Sequence, residues 1–420
     1  MKCYVKLMIV MTMLMMLSAC ATKSQNKPQP ALPVAAQSAT PFEQLSFKAA
    51  RKTVYEDSGR FIMIEGSECT QRNGGTDAAT MLLWVSMPHY VDNGTVVLNG
   101  WDLRYLHDDR EIHALRAEIT HSKLVTGNDA SFLVFEAQGH LSDQNHNTAY
   151  EFCIHYTGFG YHAAWFDAAI EGDHSGIDSQ ALQSKHQGAV ASLESIWSKG
   201  VFKSKDSVAV MPRGFAFQYD NRFECELRFL PCQWGDRSDY PLLQIAYNLF
   251  QISPSSNLND NPRWTTQTIL KDNSIQDHWI KTRASLIGGS SIRLRTDLLP
   301  LTPRSGSTKT CRNGPDGIVH TRSVRLHDLP YDYAIPMLTG WDLSYECDDQ
   351  RVQRAGIWIH DIHFDPASSS LEYKISTVLR DKDGIPSFNA AHRVTVLGLN
   401  RLSAPSRRPL SIQENEPGKN

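Results

Sequence analysis

The chain has 420 residues, of which 41% are hydrophobic and 21% charged, and its formal net charge is −3. This composition is that of an ordinary globular protein, and the length suits two or three domains. The sequence contains no basic stripe and no run rich in lysine and arginine, which argues against nucleic acid as a partner and against a polybasic membrane patch.

The first twenty residues have the pattern of a secretory signal. Two lysines precede an apolar run from Leu7 to Leu17, which is too short to span a bilayer comfortably. Residues 17–20 are Leu-Ser-Ala-Cys and resemble the lipobox of bacterial lipoproteins. The resemblance implies removal of residues 1–19 and lipidation of Cys20, which would hold the protein at a membrane surface. An ordinary signal peptide that happens to end at a cysteine is the alternative.

The resemblance also bears on location. Residue 21 is Ala, whereas an Asp there would favour inner-membrane retention in Gram-negative lipoproteins. We therefore expect an outer-membrane lipoprotein of the bacterial cell envelope, on either face. Residues 20–45 are rich in Ala, Pro, Gln, Ser and Thr and predict a flexible tether of roughly 25 Å root-mean-square span. Residues 403–420 predict a disordered tail.

A ten-residue phrase occurs twice in the chain. GWDLRYLHDD at residues 100–109 and GWDLSYECDD at residues 340–349 match at seven positions. Each phrase is preceded and followed by stretches with alternating apolar residues, separated by turns. This pattern predicts two β-sandwich units of five or six antiparallel strands, at 46–165 and 306–402. The predicted fold is therefore mainly β, with tandem antiparallel sandwich domains and a short helical and β-rich middle region.

Alternation assigns the phrase to a core strand. Its odd-numbered apolar residues share the inward face of each strand. They are Trp101, Leu103, Tyr105, Trp341, Leu343 and Tyr345. Asp102 points to the opposite face, and Asp108 and Asp109 begin the next turn. The functional alternative is that these three aspartates hold Ca²⁺ or a polar ligand, but no calcium-loop signature supports a metal.

The middle region, 166–305, mixes two patterns. Apolar residues at helical spacing, with Gly200 after them, predict a helix over 179–199. Strand-like stretches follow, and residues 214–219 are weakly similar to the start of the repeated phrase. We expect a third β-rich domain here and weigh a divergent copy of the unit. Residues 240–252 suit a helix or a strand equally.

Cysteine usage agrees with export. Cys3 is removed with the signal and Cys20 takes lipid, which leaves an even number for disulfides in an oxidising compartment. Spacing in the sequence favours three pairs: Cys69 with Cys153, Cys225 with Cys232, and Cys311 with Cys347. No ligand spacing indicates zinc.

The second unit also resembles a known family. A P-x-L-x-G-W-D-L strand, then DPASSSLEYKISTVLRDKDG and HRVTVLGL, is similar to the H-type lectin domain, a six-stranded antiparallel sandwich. The similarity covers residues 312–399 and, more loosely, 81–161. It implies sugar binding of the N-acetylgalactosamine type, at boundaries between protomers of a trimer. The second unit has no aromatic residue after Phe388, so the resemblance assigns a site to the first unit, at Tyr156, Tyr161 and Trp165.

Catalytic patterns are not evident. GDHSG at residues 172–176 lacks the spacing of a nucleophile elbow. HDIHFD places His360 and His363 on opposite faces of a regular strand, which would prevent both from binding one metal ion. We therefore predict no catalytic residues, no metal and no cofactor. A glycan hydrolase stays a third hypothesis, because paired carboxylates can be brought together by any fold.

Two other hypotheses precede it. The first is a membrane-anchored, non-catalytic binding module that recognises glycan or another envelope surface. The second is a structural lipoprotein that docks onto proteins of an envelope, secretion or pilus assembly. The predicted partners are the membrane through the N-terminal lipid, and a glycan or an envelope protein. A homo-oligomer stays an alternative to a monomer.

Overall fold

The part of the chain that the structure describes folds almost entirely into antiparallel β-strands. The computed structural model describes residues 50–75, 77–107, 110, 112–127, 130–143, 148–171, 191–196, 207–219, 244–252, 263–271, 278–297, 319–345, 351–381 and 388–402. Among these residues the only helical element is one 3₁₀ turn, Ala163–Trp165. The mainly β, antiparallel fold predicted from alternation is confirmed.

Nineteen strands are described. In chain order they are β1 Ala50–Asp57, β2 Phe61–Arg72, β3 Ala79–Met87, β4 Asn93–Tyr105, β5 Ala114–Thr126, β6 Ser131–Ser142, β7 Tyr150–Tyr161, β8 Ala169–Glu171, β9 Ala191–Ile196, β10 Ser207–Tyr219, β11 Gln244–Ile252, β12 Arg263–Lys271, β13 His278–Gly289, β14 Ile292–Asp297, β15 His320–Leu326, β16 Tyr333–Tyr345, β17 Arg354–Asp365, β18 Ser370–Arg380 and β19 Phe388–Leu399.

Strand pairing divides them into three repeats of six strands, β2–β7, β8–β13 and β14–β19. In every repeat the first and third strands pair with the sixth, and the second and fourth pair with the fifth. The middle region therefore has the same topology as the two units that flank it. β14, which the sequence boundaries placed in the middle region, pairs with β19 of repeat 3. β1 is an additional strand on the edge of repeat 1.

The repeats join in a ring. The third strand of each repeat pairs with the fourth strand of the preceding one: β10 with β5, β16 with β11 and, closing the circle, β4 with β17. Each of the three sheets thus combines half of one repeat with half of its neighbour. The repeats are related by a pseudo-threefold axis, and their sandwiches share sheets instead of standing apart.

The third strands carry the repeated phrase and align over their full length. In β4, β10 and β16 the eighth residue is Gly, and a β-bulge immediately precedes it. The ninth residues, Trp101, Phe215 and Trp341, meet at the axis with ring centroids 5.1–5.6 Å apart. All six side chains that alternation assigned to the interior of this phrase are buried. A small apolar cavity beside these rings has room for about one water molecule.

Polar residues occupy the bulges next to the axis. Asn99, Arg213 and Thr339 are the seventh residues of their strands, and each is at most 3% exposed. Each forms a hydrogen bond with a hydroxyl at the same place on its sixth strand, on Thr157, Ser285 and Thr395. Two of them also reach a neighbouring repeat. The Asn99 amide bonds the backbone of β16, and Arg213 donates to Thr95 Oγ1 of β4 at 2.8 Å.

The predicted helix over 179–199 is wrong in its described part. Residues Ala191–Ile196 form β9, which pairs with β12 at the edge of the third sheet. Backbone hydrogen bonds offered by β12 outweigh the helical spacing of the apolar residues, because tertiary context overrides intrinsic propensity. The other residues of that segment lie outside the described part of the chain. The ambiguous segment around residue 246 is strand β11.

The predicted Cys69–Cys153 disulfide is present and joins directly opposed residues of β2 and β7. The pairs predicted for Cys225 with Cys232 and for Cys311 with Cys347 lie outside the described residues, as does Cys20.

Candidate binding site

A glycine marks the same outward position at all three junctions between repeats. Gly100, Gly214 and Gly340 each lie between two strands, one from the same repeat and one from the preceding repeat. A glycine has no side chain, so the residues on its two flanking strands can approach each other across it. We call each such place a glycine window, and the three windows have different chemistry.

The first window, between repeats 1 and 3, is aromatic. His155 on β7 and Trp358 on β17 both pair with Gly100. Their rings stack over the glycine with centroids 5.0 Å apart and planes inclined by 11°. A Cβ on Gly100 would overlap the backbone of Trp358, so the close approach requires glycine here. Trp358 is partly exposed on the outer face of the sheet.

The second window, between repeats 2 and 1, is ionic and closed. Glu118 and Arg283 flank Gly214, with Arg283 Nε 3.1 Å from Glu118 Oε2. Arg116 Nε lies 3.0 Å from the other carboxylate oxygen. The Glu118 side chain is wholly buried, so this window has little capacity to meet a ligand.

The third window, between repeats 3 and 2, is flanked by Asn248 and Arg393. Burial lowers the pKa of the Arg393 guanidinium from its ordinary value. A Cβ on Gly340 would meet the Asn248 side chain, which is movable, in contrast to the backbone that closes the first window. No aromatic side chain flanks this glycine among the described residues.

Polar groups surround the aromatic window. Arg354 donates from Nε to Asp102 Oδ1 at 2.9 Å and also bonds Oδ2, which joins β17 of repeat 3 to β4 of repeat 1. The hydrogen bond with Asp102 raises the pKa of Arg354, so the guanidinium stays charged. On the other side of Trp358, His360 Nε2 lies 2.8 Å from Ser376 Oγ. Arg354 and His360 are each about a quarter exposed.

His155 is neutral in this arrangement. Burial lowers its pKa to about 3, and the nearby His360 and Arg354 act in the same direction. A neutral imidazole stacks on the indole without a charge to solvate, so it fixes the Trp358 ring at little electrostatic cost. The window therefore presents a held aromatic ring between a cationic donor and a histidine.

Of the residues predicted as ligand contacts, those that the structure describes do not come together in one site. Asp102 is 7% exposed and is bonded to Arg354, while Asp108 and Asp109 lie outside the described residues. Tyr156 and Tyr161 are at most 1% exposed, so these rings pack in the core and have no face for a sugar. Trp165 is partly exposed and lies beneath the Arg60 guanidinium, 4.5 Å from its carbon to the ring centroid.

Trp358 and His155 were missed by the sequence reasoning, although a signal was present. In residues 357–360, Ile-Trp-Ile-His, the two isoleucines are buried and the aromatic pair alternates to the other face. A tryptophan at a position where alternation predicts a polar residue indicates a use outside the core.

The prediction that His360 and His363 face opposite sides is wrong. A β-bulge between them, with Asp361 at a φ of 51°, places both on one face, opposite Lys374 and Glu372. Glu65 accepts hydrogen bonds from the backbone N–H groups of Asp361 and Ile362 at 2.9 and 3.0 Å and so holds the bulge. Within the described residues, no group of three or more His, Cys, Asp or Glu side chains is arranged to hold a metal ion.

None of the described helical structure has the length and apolar character needed to cross a bilayer. Comparison of the chain with protein-family models, with curated proteins and with solved structures found no match.

Proposed function

We propose that the protein is a non-catalytic binding module that recognises glycan through the aromatic window, and that lipidated Cys20 holds it at the outer membrane of a bacterial envelope. The observation that carries the proposal is the partly exposed Trp358 ring, stacked on His155 over Gly100 and bordered by Arg354 and His360.

The chemistry of the window fits a sugar ring. A pyranose has an apolar face of C–H groups and a periphery of hydroxyls, so it suits an indole face with donors and acceptors at the edges. Here His155 fixes the indole, and the Asp102 carboxylate fixes the Arg354 guanidinium. Because these groups are ordered before binding, little side-chain entropy is lost when the ligand arrives.

The family resemblance supports the same proposal. H-type lectins, which two of the repeats resemble, are expected to bind sugars at boundaries between the protomers of a trimer. In this chain three six-stranded repeats form the corresponding ring, and the aromatic window lies at the boundary between repeats 1 and 3.

The test is binding of the purified full chain to a glycan array, followed by titration of the best ligand. We expect Trp358→Ala to weaken binding at least about tenfold, as loss of a central aromatic contact does, and Trp358→Phe to retain part of the affinity. Trp165→Ala is the matched control, because it removes another partly exposed tryptophan that the family resemblance had favoured.

Thermal unfolding of each variant separates loss of binding from loss of the fold. A folded Trp358→Ala protein with unchanged affinity would refute the window as the site. Incorporation of radiolabelled palmitate, abolished by Cys20→Ala, tests the anchor independently.

A further inference from the structure

Repeat 1 carries an apolar surface on the side opposite the aromatic window. Five outward side chains of β3, β5 and β6 form it, and we call them the repeat-1 patch: Leu82, Trp84, Val125, Phe132 and Val134. Leu82, Val125 and Phe132 are 43%, 40% and 37% exposed and are the exposed large hydrophobic residues of the described chain. Strand register places Trp84 beside Val134 and Val125 beside Phe132, and the Trp84 and Phe132 rings lie 5.8 Å apart. Leu82 borders Trp84 on the same face of β3 and pairs with Glu136 at the margin of the patch.

The same backbone positions in repeat 3 are polar. Arg325 pairs with Glu372 where Trp84 pairs with Val134, and Asp365 pairs with Ser370 where Val125 pairs with Phe132. Ser323 takes the place of Leu82. Arg325 Nε and Glu372 Oε1 form an exposed ion pair at 2.7 Å. The fold therefore accepts polar residues at all five positions, and the apolar set in repeat 1 needs a reason outside the fold.

The chain also enters the folded body at repeat 1. β1, which has no counterpart among the described strands of the other repeats, begins at Ala50. The guanidinium of its Arg51 lies 4.9 Å above the Trp84 ring and 3.8 Å from Glu68 Oε1, so its charge is paired within repeat 1. Lys123, which is exposed, pairs with Val134 at the patch. The tether that the sequence predicts for residues 20–45, with a span of roughly 25 Å root-mean-square, would end a few residues before β1. A lipid group on Cys20 would keep this side of repeat 1 within reach of the bilayer.

Aromatic and aliphatic side chains with a lysine beside them are the composition of a surface that enters the headgroup region of a membrane. We infer that the repeat-1 patch lies against the phospholipid surface, with Trp84, Phe132 and Leu82 at the acyl boundary and Lys123 at the headgroups. The inference rests on the lipid anchor of the proposed function. It also gives the proposed binding module an orientation. The patch and His155 lie on different sheets of the repeat-1 sandwich, so the patch would face the bilayer and His155 would face away from it.

The test measures whether Trp84 touches lipid. The acylated full chain is reconstituted in vesicles of phosphatidylethanolamine and phosphatidylglycerol with brominated acyl chains, because bromine quenches indole fluorescence at contact. The chain has nine tryptophans, so the Trp84 signal is taken as the difference from Trp84→Phe. We expect quenching of that signal, and none of the corresponding Trp358 signal taken from Trp358→Phe.

A swap variant supplies the matched control. Leu82→Ser, Val125→Asp, Phe132→Ser and Val134→Glu import the repeat-3 residues and keep Trp84 as reporter; we expect them to abolish its quenching. An unquenched Trp84 in the acylated wild-type chain overturns the inference. If palmitate is not incorporated, the proposed anchor is refuted separately, and flotation of the chain with the same vesicles then tests the patch. Flotation that the swap variant abolishes supports membrane contact through the patch. Absence of flotation, or flotation that the swap variant leaves unchanged, overturns it.

Discussion

Repeats 1 and 3 have the same strand pairing and nearly the same central phrase, yet they differ sharply on one side. Facing inward, Phe135 in repeat 1 and Tyr373 in repeat 3 occupy equivalent positions on the fifth strand, and both are at most 1% exposed. Facing outward, Trp84 and Val134 correspond to Arg325 and Glu372. In a β-sandwich the inward residues are set by packing, while the outward residues of the same strands can vary with function.

The junctions between repeats likewise have the same strand pairing and different outward side chains. Two residues beyond the window glycine, Asp102 accepts a hydrogen bond from Arg354 at one junction, and Asp342 accepts one from Gln244 at another. Each bond is diagonal, because the strand register pairs Asp102 with Gly356 and Asp342 with Ala246. At the remaining junction the same two positions hold Ala216 and Ala114, which have no side-chain group for such a bond. Because the junctions differ in polar partners, a wrong pairing of repeats would leave charges unmatched.

Trp101→Ala should destabilise the whole ring. Trp101 is wholly buried at the axis against Phe215 and Trp341, which belong to the other two repeats. Removing a buried tryptophan costs about 3–5 kcal/mol, and the shared sheets should spread this loss over all repeats in one unfolding transition. Urea unfolding followed by circular dichroism measures it. Separate transitions, with only one shifted, would show that the repeats unfold as independent domains.

Gly100→Ala and Gly340→Ala compare two windows by a single methyl group. At Gly100 the added Cβ would overlap the backbone of Trp358, whereas at Gly340 its nearest neighbour is the Asn248 side chain. We expect a loss of about 3 kcal/mol in the free energy of unfolding at Gly100 and about 1 kcal/mol at Gly340, because backbone yields less than a side chain. Equal losses in chemical denaturation would contradict the structural distinction between the windows.

His392→Ile exchanges a repeat-3 residue for its repeat-1 counterpart, since His392 pairs with Trp341 as Ile154 pairs with Trp101. Burial, and then the charge of Arg322, lowers the pKa of His392 to about 4. The unfolded chain therefore takes up this proton first as the pH falls. Stability conferred by the neutral histidine is present above its unfolded pKa, about 6.5, and is lost towards lower pH, by up to about 1.4 kcal/mol per pH unit.

Melting curves across pH 4–7 measure this difference as the gap between wild type and variant. His155, whose pKa is lowered in the same direction, is unchanged in the variant, so the gap isolates His392. We expect the variant to lose less stability than the wild type on acidification. Parallel pH profiles would show that His392 takes up its proton without strain in the fold.

Alternation predicted most strands of repeats 1 and 3, and it also identified strand segments in repeat 2, because each strand buries one face. β12 lies among the strand-like stretches predicted for the middle region, and the inward residues of the GWDL strand are buried as expected. Ring closure could not be predicted in the same way. β4 pairs with β17, which lies some 250 residues later in the chain. The glycine at the same place in all three third strands was the one sequence feature that pointed to this closure.

The candidate site was harder to predict because it depends on neighbours across that closure. His155 and Trp358 come from different repeats and meet only when Gly100 lies between them. The histidines of β17 were predicted wrongly for a similar reason, since the bulge between them places both on one face. The pattern of residues along one strand predicts which of them share a face. It does not predict which strand will pair with it, nor where a β-bulge will interrupt the alternation.

The smallest expected effect comes from exchanging the outer surfaces. Trp84→Arg together with Val134→Glu gives repeat 1 the ion pair that Arg325 and Glu372 form in repeat 3. Exposed ion pairs contribute little and outward positions are tolerant, so the free energy of unfolding should change by less than about 1 kcal/mol. The inward control is Leu83→Ala, one position from Trp84 and 1% exposed, which should cost about 2–5 kcal/mol. If the surface exchange costs as much as the core truncation in guanidinium unfolding, the apolar outer residues of repeat 1 serve the fold, and the two repeats differ in packing as well as in what they present to a partner.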